Sequence, residues 1–355
     1  MNERVIKKRL GGGFRKHEFF NQIISLENLF LAWREFKKGK LKKQDVSHFA
    51  VDAEEEIFKL NKELKNFSYR HGDYTNFIIC DPKRREVSKA IVRDRLLHHA
   101  IFRILEPVFD RIFIYDSFSS RKGKGIHKAH ERFHTFAWRL SRNNTREVWV
   151  LKCDIKRFFD STDHAVLLRL LGRVVDSQTL ELLKGIILSF EKSPGKGMPI
   201  GNLTSQLFSN IYMNEFDQFM KRELRIKHYI RYADDFVVLS PERAYLKRLL
   251  PDIITFLSKR LALHLHPEKV TIKKWRQGAD FLGYVLFPSH CVLRTRTKQR
   301  VLRKLVDRYR QYFKKDISPY SFNQTLASYL GMLTHCRSVG LRSEIRKRLE
   351  AEKNL

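Results

Sequence analysis

Acidic residues are scarce in this chain: 39 Asp and Glu stand against 70 Lys and Arg in 355 residues, a formal net charge of +31. Cysteine is scarcer still. Cys80, Cys153, Cys291 and Cys336 are too few and too widely spaced for a disulfide framework or a CxxC zinc site, and they read as reduced core thiols. No uninterrupted apolar run approaches the ~18 residues that a membrane-spanning helix needs, so no membrane partner is expected. The basic start (Arg4, Lys7, Lys8, Arg9) runs into Gly11-Gly12-Gly13 instead of an apolar segment. It does not read as a secretory signal, and a cytoplasmic location is the expectation. No internal repeat or low-complexity tract stands out. What is present is a hydrophobic fraction of 43%, enough for a core, which excludes a disordered tail. At roughly 100–200 residues per domain, two or three units are expected. The cationic surplus points to a polyanionic partner.

The periodicity changes along the chain. In Ile57, Leu60, Leu64 and Phe67 the apolar steps of three and four predict a helix, with Asp52 to Glu56 at its favourable acidic end. Phe77 to Cys80 and Val87 to Val92 flank a polar stretch containing Lys83 and Arg85, which predicts a two-stranded ribbon with a basic tip. Arg93 to Phe109 is again helical. Val148 to Asp154 is a short apolar run ending in an acid, the mark of a buried strand. A helix is predicted from about Leu203 to Leu224, a strand-turn-strand over Tyr229 to Leu239, a helix over Leu246 to Leu263, and short strands around Pro288. From Cys291 onward 16 Lys and Arg face 5 Asp and Glu, a net of +11 in 65 residues. Arg300 to Phe313 fits an amphipathic helix with Val301, Leu305, Tyr309 and Tyr312 inward. A basic helical module of this kind suits a phosphate backbone.

The chemistry concentrates in Tyr232-Ala233-Asp234-Asp235. An ordinary Asp-rich turn has polar flanks, whereas this one lies between apolar strands, so its acids are predicted to be partly buried. Like charges in such a place need neutralising. Asp154 ends an apolar strand 80 positions earlier. If the two strands lie side by side, Asp154, Asp234 and Asp235 converge, and such a cluster of hard oxygen ligands suits two Mg²⁺ ions about 4 Å apart.

Tyr232-Ala233-Asp234-Asp235 resembles the YxDD box of reverse transcriptases, and Asp154 to His164 resembles the first catalytic motif of group II intron and other bacterial enzymes of that family. The resemblance runs from about Tyr74 to Tyr284, with a thumb-like tail beyond. It implies an α+β, right-hand polymerase fold: an N-terminal helical extension over 1–70, fingers over 71–147, a palm with an antiparallel sheet and flanking helices over 148–290 (with fingers–palm elements near 172–205), and a helical thumb over 291–355. It implies two Mg²⁺ ions, with Mn²⁺ as a substitute, on Asp154, Asp234, Asp235 and the carbonyl of Ile155. It also implies that template RNA, the RNA/cDNA hybrid and dNTPs are bound.

By the same resemblance Phe159 stands at the steric gate that disfavours a ribonucleotide 2′-hydroxyl. Lys269 resembles the lysine that protonates the leaving pyrophosphate. Lys83 and Arg85 resemble fingers residues that fold over the triphosphate, and Phe281-Leu282-Gly283-Tyr284 resembles the primer-grip hairpin. Arg121, Gly123 and Gly125 read as a channel lining or a generic basic loop, and Asp160 as a cap or turn residue.

The segment Pro199-Ile200-Gly201, followed by Ser205-Gln206, departs from the Pro-Gln-Gly of most members. It looks like the reverse transcriptases of diversity-generating retroelements, which copy a template-repeat RNA with errors at adenines. This implies that Ile200, Gly201 and Gln206 face the nascent base pair, and that a small oligomeric accessory variability protein is a partner. On this resemblance, Ile200 in place of Gln is expected to remove a polar contact that checks base-pair geometry and so to lower fidelity. Two other readings stay open: a bacterial reverse transcriptase of phage-defence or standalone intron type, and a non-catalytic RNA-binding protein of the same fold.

Overall fold

The computed structural model describes residues 19–81 and 83–353. The basic start of the chain and Pro82 of the ribbon tip lie outside the described residues. Helices span Phe19–Ile24, Leu26–Phe36, Gln44–Val51 and Ala53–Lys65, then Val92–Asp110, Ile126–Leu140, Phe158–Ser161, His164–Leu171 and Ser177–Leu188. Leu203–Gln218 continues into a π-turn over Phe219–Glu223, and Arg243–Leu261 follows. The tail holds Thr295–Phe313, Pro319–Leu333 and Val339–Lys353. The strands are β1 (Tyr74–Ile79), β2 (Arg85–Ala90), β3 (Trp149–Asp154), β4 (Tyr229–Tyr232), β5 (Asp235–Ser240), β6 (Thr271–Lys274), β7 (Ala279–Phe281), β8 (Tyr284–Leu286) and β9 (Cys291–Leu293). The pairs β1–β2, β3–β6, β7–β8 and β8–β9 run antiparallel, with helices interleaved between the strand groups, an α+β arrangement. No described helix is long and apolar enough to cross a membrane.

Local sequence explains the boundaries. Glu54, Glu55 and Glu56 occupy the first turn of Ala53–Lys65, where the helix dipole favours negative charge. The Ser25 hydroxyl accepts from the Asn28 N–H, and Asp176 caps its helix through the Thr179 N–H. Asp160 sits inside the short Phe158–Ser161 turn, in keeping with a cap or turn residue, and it is Asp163 that caps the start of His164–Leu171 by accepting from the Val166 N–H.

The chain divides into two compact units. The first comprises Met1–Gly123, Cys153–Phe236 and Leu249–Lys269, and the second Lys124–Lys152, Val237–Arg248 and Val270–Leu355. The first unit's core is built on Leu96, Leu97 and Ile101 of one helix and Leu207, Ile211 and Phe216 of another, all buried. In it, β1 and β2 pair antiparallel from Tyr74↔Ala90 to Ile79↔Arg85. The second unit's core gathers Phe133, Trp275 and Phe281, with Phe133–Trp275 and Phe133–Phe281 ring centroids at 6.4 and 6.3 Å. Strands β7, β8 and β9 form its three-stranded sheet. A four-stranded sheet has the order β4-β5-β3-β6. The acids at the end of β3 and the start of β5 therefore sit on neighbouring strands.

All four cysteines are free, and only Cys153 is a core thiol as expected. Cys80 is exposed on the ribbon, and Cys291 and Cys336 are half-buried. Burial, with Asp154 and Asp235 nearby, pushes the Cys153 thiol up to about 12, so it stays protonated.

Candidate active site

The turn between β4 and β5 carries Asp234, and Asp235 opens β5 directly after it. The first residue of the turn, Ala233, is left-handed (φ 53°). The N–H of Ile155, next to Asp154, donates to the Asp234 carbonyl at 3.3 Å. Beyond Asp154 the chain pairs with a second segment. The His266 N–H donates to the Asp154 carbonyl and the Lys156 N–H to the His264 carbonyl, both at 2.8 Å. That segment leads into the turn Pro267–Lys269, which delivers the Lys269 Nζ to within 2.6 Å of Asp154 Oδ1.

Asp154, Asp234, Asp235 and Lys269 are thus brought together. Burial raises Asp234 to about 6, with the charges of Asp154 and Asp235 adding to the effect and Lys269 opposing it. The site holds more negative charge than one lysine offsets. Among the described residues, no three His, Cys, Asp or Glu side chains stand assembled as a metal-holding group, and the ammonium of Lys269 occupies one oxygen of Asp154. The donor set nevertheless fits a hard divalent cation: carboxylates on neighbouring strands, partly desolvated, with Asp234 held short of easy ionisation.

The half-buried ring of Phe159 packs edge-on against Phe158 (5.6 Å), and its carbonyl accepts from the Met198 N–H at 2.8 Å. That bond ties the first acidic motif to the loop carrying Ile200 and Gly201. The Ile200 carbonyl accepts from the Ser88 N–H of β2 at 3.0 Å. Gly201 has φ +120°, and a Cβ there would meet Val87 Cγ1 at 2.8 Å. In this structure glycine is therefore required by the ribbon packed over it. Gln206 is exposed on Leu203–Gln218, and Lys83 and Arg85 are exposed at the ribbon tip.

Arg121 departs from the channel-lining expectation. It is buried against Asp110 at 2.5 Å and donates to the Ile114 and Ser117 carbonyls at 2.7 and 2.9 Å, which makes it an internal brace.

In the second unit, Phe281-Leu282-Gly283-Tyr284 forms the tight turn between β7 and β8, with Leu282 and Gly283 at φ 51° and 88°. His130 Nε2–H donates to the Phe281 carbonyl at 3.1 Å, and the Tyr284 hydroxyl donates to the Met332 carbonyl at 3.1 Å. Burial lowers His130 to about 4, so the ring is neutral at pH 7.

Sequence reasoning missed one group. Arg231 of β4 and Asp217 of Leu203–Gln218 are both fully buried and paired at 2.7 Å. The available signal was a lone cation in the otherwise apolar Tyr229-Ile230-Arg231-Tyr232 and an acid, Asp217, between Phe216 and Phe219 on a helix with apolar neighbours.

Residues 80–286 match the reverse transcriptase (RNA-dependent DNA polymerase) family. Protein YkfC of Escherichia coli strain K12 is 26% identical over 244 residues, covering 58% of this chain and 63% of YkfC. The group II intron-encoded protein LtrA of Lactococcus lactis subsp. cremoris is 24% identical over 304 residues, covering 65% of this chain and 50% of LtrA. The chain therefore spans half to under two thirds of the length of these two relatives. The structure of apo telomerase from Candida tropicalis is similar at a TM-score of 0.50 with 13% identity, covering 80% of this chain and 57% of that one. Likeness at that identity concerns the fold, which is the right-hand polymerase fold. The matched segment is more than half of the chain and contains Asp154, Asp234 and Asp235, so the chain belongs to the reverse transcriptase family.

Proposed function

We propose that this chain is an RNA-directed DNA polymerase whose reaction centre is Asp154, Asp234 and Asp235. The observation that carries the reading is the bond from the Ile155 N–H to the Asp234 carbonyl between the two acidic motifs, with Lys269 ion-paired to Asp154 beside it. The three carboxylates and the Ile155 carbonyl would hold two Mg²⁺ ions, or Mn²⁺ in their place. Bound there, the ions supply the positive charge that acidifies a primer 3′-hydroxyl and stabilises a leaving pyrophosphate. Lys269 donates the proton that the pyrophosphate takes up. Phe159 excludes a 2′-hydroxyl and so favours dNTPs. Lys83 and Arg85 offset charge on the triphosphate. The Phe281–Tyr284 turn braces the primer end. In this reading residues 1–70 are an extension, 71–147 fingers, 148–290 palm and 291–355 thumb, and the basic surface binds template RNA and the RNA/cDNA hybrid.

The finer reading is a polymerase of a diversity-generating retroelement that writes adenine-directed errors into cDNA, assisted by a small accessory protein. Pro199-Ile200-Gly201 with Ser205-Gln206 supports it. The family match to group II intron-encoded LtrA favours a second reading, an intron-type enzyme without mutagenic function. Sequencing cDNA made by the native chain and by Ile200→Gln from one primed RNA template separates them. The mutagenic reading expects errors concentrated at template adenines and reduced in Ile200→Gln. Equal, unbiased errors in both proteins would discard it. No dNTP incorporation by the native chain would discard the polymerase reading itself.

A further inference from the structure

Arg231 offers five N–H donors, and every one has an acceptor. Its Nε meets Asp217 Oδ1 at 2.8 Å, and Nη2 meets Asp217 Oδ2 at 2.7 Å and Ser117 Oγ at 3.0 Å. Its Nη1 meets Asn210 Oδ1 at 3.4 Å and the Ala233 carbonyl at 3.0 Å. The Tyr229 hydroxyl donates to Asp217 Oδ1 at 2.7 Å, adding to the acid's anchorage. Both ionic side chains are fully buried. A buried ion pair is a costly way to fill a core, and an apolar pair of similar volume often stabilises a fold better. Such a pair can, however, perform a task that apolar side chains cannot.

The contact with Ala233 identifies that task. Ala233 is left-handed at φ 53°, a conformation that strains an alanine and persists where its surroundings over-determine it. The carbonyl that Arg231 holds belongs to the peptide whose nitrogen is that of Asp234. The next carbonyl, that of Asp234, is held by the Ile155 N–H. Asp234 is therefore gripped on both sides: by the guanidinium before it and by the first acidic motif after it. Asn210 and Asp217 both stand on Leu203–Gln218, so one helix carries the anchors of the grip.

We infer that Arg231, anchored by Asp217, is a positioning residue that fixes the Ala233–Asp234 peptide and so aims the Asp234 carboxylate at its cation. The inference rests on the polymerase reading for its kinetic consequence but not for its cation-binding one. The test uses the full chain, as native protein, Arg231→Lys and Ser117→Ala. The second substitution removes one acceptor of the guanidinium and leaves the ion pair in place. Three quantities are measured below the melting temperature of each protein: single-nucleotide extension of a primed RNA template per active site, KM for dNTP, and Mn²⁺ affinity by loss of the free-ion EPR signal.

Arg231→Lys is expected to lower kcat roughly tenfold or more while KM for dNTP stays within about twofold, and to weaken Mn²⁺ binding several-fold. Ser117→Ala is expected to move both quantities the same way by less. A merely structural role would reduce the active fraction and the melting temperature while leaving kcat per active site and Mn²⁺ affinity at native values, and that result overturns the inference. If Arg231→Lys does not fold, Ser117→Ala decides alone: native kcat and native Mn²⁺ affinity overturn it. If the native chain extends no primer, the polymerase reading fails, and the Mn²⁺ titrations still decide this inference.

Discussion

Lys269 Nζ lies 2.6 Å from Asp154 Oδ1, so one residue occupies two roles in the proposed centre. It neutralises a carboxylate that would ligate a cation, and it is the proposed proton donor to the pyrophosphate. The pair is partly exposed, with side-chain exposures of 40% for Lys269 and 14% for Asp154, so the ammonium is free to be displaced.

These two roles predict opposite effects of one substitution. In Lys269→Met, the Mg²⁺ concentration giving half-maximal extension should fall, because Asp154 loses its competing partner. At saturating Mg²⁺, kcat should fall by about 10²–10⁴-fold, the usual contribution of a general acid. Metal-titrated primer extension reads both. A fall in kcat with an unchanged Mg²⁺ requirement would remove the competition, and an unchanged kcat would remove the proton transfer.

Phe159 is only half-buried and its backbone is tied to Met198, so shortening its side chain opens space without untying the loop. Phe159→Ala should lower the preference for dNTP over rNTP by about 10–200-fold, the range available to a steric contact in an apolar pocket. Parallel kcat/KM measurements with dCTP and CTP test it. Unchanged discrimination would make Phe159 a packing residue.

The acids were legible in the sequence because their flanks are apolar: Val148 to Cys153 and Phe236 to Leu239 read as largely buried strands, and each meets an acid at its end. The Arg231–Asp217 grip was not legible, because the two charges lie in separate segments 14 residues apart and only tertiary packing brings them together. The sequence suggests a nascent base pair as the neighbour of Gly201, whereas the close neighbour that makes glycine necessary in the structure is Val87 of the ribbon, which no local pattern indicates. Arg121 looked like a free basic residue because its partners Asp110, Ile114 and Ser117 depend on how the chain folds back after Val92–Asp110. Asp160 and Asp163 are three residues apart, and only helix phase decides which one caps.

His98 gives a stability prediction with a definite sign. The ring is buried, neither nitrogen has a hydrogen-bond partner among the described residues, and burial with His71, His99 and Arg95 nearby lowers it to about 3. An unfolded histidine takes a proton near 6.5. Above that pH both states are neutral and the contribution is fully present. As pH falls from about 6.5 toward 3 only the unfolded chain gains the proton, so stability drops by about 1.4 kcal/mol per pH unit. His98→Leu should be more stable than native at pH 5 and within about 1 kcal/mol of it at pH 7.5. Urea midpoints at the two pH values measure this. An equal pH slope in both proteins would assign the acid sensitivity elsewhere.

The decisive measurement is the extension of a primed RNA template by Asp234→Ala with dNTPs and Mg²⁺, with template binding measured on the same preparation. No detectable extension and native affinity for the primed RNA are expected if Asp234 belongs to the reaction centre. Extension by Asp234→Ala at a rate comparable to native would contradict that assignment.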